Sequence, residues 1–178
     1  MLAKKKTVPA QANPHAGAEA ALKALALGRD AGDMKDVLQT LVAYVDDVRE
    51  RERPDPRDTA KDRLFAELMS RLDVLQEHRV AYVNLIARLR QNPPQLAALL
   101  PLIHQSMSAS LHHAGVEAGG LRGAAQAAGL MAVYAYALHA WEKDTKADLS
   151  YTMRALDKAL GFAETAATWL GFAPPREL

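Results

Sequence analysis

Apolar residues return at steps of three and four along almost the whole chain, the spacing that lines one face of an α-helix. The pattern first appears in AEAALKALAL, residues 18 to 27, where Gly28 offers a stop. After the turn-like RDAGD, Asp33 is placed to cap a second helix whose stripe runs Met34, Val37, Leu38, Leu41, Val42, Val45 and Val48. The segment RERERPDPRD ends that helix, because its charges favour solvent and Pro54 and Pro56 prevent continuation. A third helix is predicted from near Asp58, burying Leu64, Phe65, Leu68, Met69, Leu72 and Leu75. A fourth carries Val80, Val83, Ile86 and Leu89 as far as the break QNPP. Pro94 suits the first turn of the next helix, whereas Pro101 is expected to kink or split it and so open space for a ligand.

Beyond HHAGVEAGG come the two longest runs, roughly 120 to 143 and 147 to 170, joined by the short polar turn KDTK. Helices joined so tightly must lie antiparallel. Gly123, Ala127, Ala128 and Ala132 allow close backbone approach, and Leu130, Met131, Tyr134 and Leu138 add bulk. The last helix carries one stripe of Leu149, Met153, Leu156, Leu160, Ala163, Ala167 and Leu170. A second stripe, Ala155, Ala159, Phe162, Ala166 and Trp169, runs beside it. One hairpin cannot easily bury both, so a two-fold, four-helix interface between two copies is expected, through Leu130, Tyr134, Leu156, Ala159, Leu160, Ala163 and Ala167.

Composition sharpens this picture. Aromatics are only 6% and alternating β-branched runs are missing, so the fold class is all-α. The chain has 178 residues, enough for one well-buried domain, and 22 basic against 21 acidic residues give no general attraction to nucleic acid or anionic membrane. There is no cysteine, so disulfides and thiolate metal sites are excluded, and a reducing cytoplasm is the expected compartment. Charges or prolines interrupt every apolar run before membrane-spanning length. Residues 1–17, with Lys4, Lys5 and Lys6, read as a disordered basic arm, and 173–178 as a tail.

Candidate chemistry is sparse. Trp141, Glu142, Asp144, Asp148 and Asp157 gather at the last helix–helix corner; Trp141 reads as a packing anchor, Asp144 and Asp148 as caps for the final helix, and Asp157 as an ion-pair partner. His104, His112 and His113 lack the HExxH spacing or a third converging ligand, so no metal is expected. Ser106, Ser108 and Ser110 have no GxSxG elbow, and GGLRG is a helix start, not a phosphate loop. No catalytic residue and no cofactor are expected.

The order DRLFAELMSRLDVLQEHRVAYVNLIARL, NPP, LLPLIHQSMSASLHHAGVE and LRGAAQAAGLMAVYAYALHAWEKDTKADLSYTMRALDKALGFAE resembles the C-terminal domain of TetR-type regulators. More narrowly it resembles the branch shared with lipid-binding accessory proteins of ubiquinone biosynthesis. The likeness covers about residues 33–172 and is most specific in Trp141, Asp144, Asp148, Leu149, Thr152, Met153, Ala155, Leu156 and Asp157. It implies a ligand cavity among the middle helices, here Phe65, Met69, Tyr82, Ile86, Leu99, Ile103, His104, Met107 and Tyr134, with Tyr82, His104 and Tyr134 as orienting groups. Before residue 33 stands only the short helix of 18–32, which could be the remnant of a DNA-binding module, so sequence-specific DNA binding is not expected. Three functions follow: a TetR-like ligand-binding and dimerisation protein that pairs with itself or a full-length regulator and senses a small hydrophobic ligand; a lipid- or isoprenoid-binding accessory protein; and a transcriptional regulator whose N-terminus is atypical.

Overall fold

The computed structural model describes residues 15 to 49 and 54 to 171. Among the described residues the chain forms seven helices and no strand: α1 (Ala16–Ala26), α2 (Met34–Arg49), α3 (Ala60–Glu77), α4 (Arg79–Gln91), α5 (Pro93–His113), α6 (Gly120–Lys143) and α7 (Ser150–Trp169). The lysines of the arm, part of the charged break after α2 and the tail at 173–178 lie outside the described residues.

Local chemistry sets the ends. Gly28, at φ +67°, lets its own N–H and that of Arg29 close back on Leu25 and Ala24, satisfying the last carbonyls of α1. Asp33 accepts from the backbone N–H groups of Lys35 and Asp36, the cap expected for α2. At α3, Thr59 accepts from the Asp62 N–H at 3.1 Å while its hydroxyl donates to the Asp62 carboxylate at 2.6 Å. Asn92 and the prolines after it start α5. Gly115, at φ +69°, ends that helix with its N–H on His112 and that of Val116 on Leu111.

The most extensive packing is between α6 and α7; α5 packs on α6, α3 on α7, and α2 on both α3 and α5. The centre holds Leu41, Leu68, Leu72, Met107, Trp141 and Leu156, all essentially without solvent contact. Helix α1 docks Ala18, Ala21, Leu22 and Leu25 mainly on α4. There Asn84 donates to the Leu25 carbonyl and Arg88 to that of Arg29. Its apolar face is thus spent inside the domain.

Two expectations change. Pro101 does not split α5, which runs from Pro93 to His113; Pro101 and Ala97, whose carbonyl it leaves without a partner, are both exposed, where the forfeited hydrogen bond is cheap. On α4 the inward face is Ala81, Tyr82, Leu85 and Leu89, and Val80 points outward at 61% exposure. Gly123 makes a close approach of a local kind: a β-carbon there would meet the carbonyl carbon of Ala118, in the link just before α6, at 2.2 Å, while of the small residues expected to bring the helices together Ala127 is buried and Ala128 and Ala132 are exposed.

Candidate functional site

The α6–α7 corner is built for packing. Trp141 is fully buried, and its indole N–H donates to Gln76 Oε1 at 2.9 Å. The Arg79 guanidinium stacks 4.6 Å from the ring centroid and donates to the carbonyls of Glu142 and of Trp141, the latter also accepting from the Asp144 N–H at 3.1 Å at the end of α6. Glu142 takes both guanidinium nitrogens of Arg90 at 2.8 and 2.5 Å, and Asp157 meets Lys61 at 2.6 Å.

Asp144 is buried and accepts from the Thr152 N–H at 2.8 Å, its hydroxyl at 3.0 Å and the Lys146 N–H at 3.2 Å. Burial alone would raise its carboxyl, but the donors of Thr152, Lys146 and Tyr151 outweigh that and hold it below the ordinary carboxylate value. Asp148 accepts from the Ser150 N–H at 3.1 Å. Between them Leu149 takes a left-handed conformation, φ 49°, which costs a non-glycine residue about 1–2 kcal/mol. Burial of its side chain, 3% exposed, offsets that cost. Every carboxylate of this corner is engaged in holding helices.

Pattern reading missed an interior charge network. Arg71 is 3% exposed, and its guanidinium donates to Ser110 Oγ at 3.1 Å, Ser106 Oγ at 2.9 Å and Asp46 at 2.5 Å. Ser106 donates in turn to Asp46 at 3.1 Å. One turn back on α3, Glu67 lies 3.8 Å from Arg71 and takes His113 Nδ1 at 2.9 Å. The network ties α2, α3 and α5 together. A signal existed in the sequence: Glu67 and Arg71, four residues apart, sit within the Leu68, Leu72, Leu75 stripe and so had to be inside with it.

The residues expected to enclose a pocket are distributed through this same core. Tyr82, Leu99 and Met107 are buried, and Phe65, Met69, Ile86, Ile103 and Tyr134 are half-buried against them. His104 Nε2 lies 3.0 Å from the Ala124 carbonyl, tying α5 to α6. Burial pushes the hydroxyls of Tyr82 and Tyr134 up, so neither is a base at neutral pH. The buried Tyr82 hydroxyl has no hydrogen-bond partner, which nothing in the structure explains.

A cleft of about 440 Å³ lies elsewhere, at the open end of the α6–α7 hairpin. Leu64 of α3, Leu111 of α5, Leu130 of α6 and Leu160, Ala163 and Ala167 of α7 form much of its wall; Val116 of the α5–α6 link adds to it, and none of the nine expected pocket residues does. Gly129 also borders it, and a β-carbon there would meet nothing within 4 Å. The expected partner surface is divided in the same way. Leu130, Leu156 and Leu160 are buried within the chain, Ala163 and Ala167 face the cleft, and Tyr134 and Ala159 are half-buried. Left outside are Tyr136, Tyr151, Phe162 and Trp169, the last at 86% exposure.

Among the described residues no group of three or more His, Asp or Glu side chains is arranged to hold a metal ion, and no helix is long and apolar enough to cross a membrane. Comparison with known proteins finds no family model and no curated protein that matches this chain.

Proposed function

We propose that the chain is a non-enzymatic, TetR-like ligand-binding and dimerising protein that senses a small hydrophobic molecule. The cleft carries this reading: its volume falls within the range of small-molecule sites, and its wall is mainly apolar with a few polar groups at the edge. The partner would be a second copy or a full-length regulator, docking on the outer faces of α6 and α7. DNA reading is left out of the proposal, since α1 commits its apolar face to the domain, mainly to α4. A lipid-binding accessory role is the second reading, favoured by Leu121 and Trp169, both strongly exposed at the hairpin's open end beside the cleft.

Gly129→Leu tests the proposal. A leucine fills open space in the cleft, and removing glycine from a helix interior adds about 0.5–1 kcal/mol of stability. The variant is expected to melt no lower than wild type yet to lose stabilisation by lipids, quinones or aromatic acids in a thermal-shift screen. Native mass spectrometry should show a co-purified small molecule in the wild type only. A wild type that is stabilised by no compound and carries no added mass would remove the ligand-binding reading.

A further inference from the structure

Among the described residues three buried side-chain polar atoms have no hydrogen-bond partner: Tyr82 Oη, Ser150 Oγ and Gln126 Oε1. Of their residues, only Gln126 borders the cleft. Its amide oxygen is an acceptor shut off from solvent with no donor, a state that native interiors rarely leave unmet. The terminal torsion of glutamine is broad and soft, so the oxygen can turn toward the cleft without disturbing α6. A donor arriving with a ligand would fill this vacancy and displace no protein hydrogen bond.

The charges at the cleft narrow the ligand further. Its wall includes Lys61 and Arg122 on the basic side and Glu117 and Glu164 on the acidic side. Lys61 is already 2.6 Å from Asp157, and Arg122 and Glu164 have partners of their own. No uncompensated cation waits for a carboxylate or phosphate, and an anion would meet two glutamates. We infer that the cleft takes a neutral, mostly apolar molecule bearing one hydroxyl, a long-chain alcohol or alkylphenol, whose O–H donates to Gln126 Oε1. This rests on the reading of the cleft as a ligand site.

Calorimetric titration of the purified chain with 1-decanol, decyl methyl ether, 2-decanone and decanoic acid tests it. The alcohol is expected to bind about 3- to 10-fold tighter than the ether, the yield of one added neutral hydrogen bond. Gln126→Leu should bind alcohol and ether equally, so that the alcohol's advantage over the ether is lost whatever happens to the two affinities together. Gln126→Met, the same length without an acceptor, repeats the measurement if the leucine variant folds poorly. Equal wild-type affinities, or a preference for the ketone or the acid, would overturn the hydroxyl assignment while binding that Gly129→Leu blocks keeps the cleft as a site. If none of the four probes binds, or Gly129→Leu leaves their affinities unchanged, the reading of the cleft falls and this inference with it.

Discussion

Asp144 gathers its donors where the positive end of α7 begins, and ionisation is what makes it a strong cap. Asp144→Ala is expected to cost about 1–2 kcal/mol at neutral pH, the upper range for a lost cap. Because its folded value lies below the ordinary carboxylate value of 3.8, its contribution is fully present above about pH 4 and fades as pH falls through the folded value. The gap between wild type and variant in urea melts should therefore be narrower at pH 2.5 than at pH 7; a gap that stays constant would deny Asp144 an ionised capping role. Arg71 is the other residue on which much depends. Arg71→Met takes the guanidinium from Glu67, which keeps His113, and from Asp46, which keeps Ser106, and should lose about 3–5 kcal/mol, whereas Arg71→Met with Glu67→Leu should recover part of it in the same melts.

At the scale of elements, the helices were legible because their signals are local. Asp33, Gly28, the prolines that open α5 and the Asp144–Asp148 turn each act within a turn or two of themselves, and the chain spells them out. Phase and bending were harder. Val80 and Tyr82 both suit an apolar stripe; the docking of α1 on α4, a contact between distant segments, selects Ala81 and Tyr82 for the inside. Pro101 reads as a break until its side of α5 is known to face water. The cleft was not legible at all. Its walls come from four helices and a link, and its shape depends on where Gly129, Ala163 and Ala167 leave room, which periodicity does not encode. The expected pocket instead drew on large apolar residues, which fill space in the core. Gln126 carried no signal either, since a lone amide on a helix looks like a solvated position until its surroundings are built.

For the whole molecule, the open question is what covers the outer faces of the hairpin. Stripe counting foresaw that α7 has more apolar surface than α6 can bury, and the structure shows which part remains: Phe162 at 67% exposure and Trp169 stand outside, with Tyr151 on α7 and Tyr136 on α6. Exposed Ala128 and Ala132 on α6 leave that face low enough for another helix to approach closely. A second copy related by a two-fold axis would set these faces against themselves as a four-helix bundle. Phe162→Glu places a charge on this face, and Lys158, whose Nζ lies 5.8 Å from the Phe162 ring, is near enough to keep the glutamate comfortable in a monomer. In sedimentation at micromolar concentration the wild type is expected to run as a dimer and Phe162→Glu as a folded monomer with unchanged helicity. Leu156→Glu, inside the core, should instead lose the fold. A monomeric wild type would reject self-pairing, and its exposed aromatic face would then have to be matched to a different protein partner, beginning with a full-length regulator mixed in equal amounts.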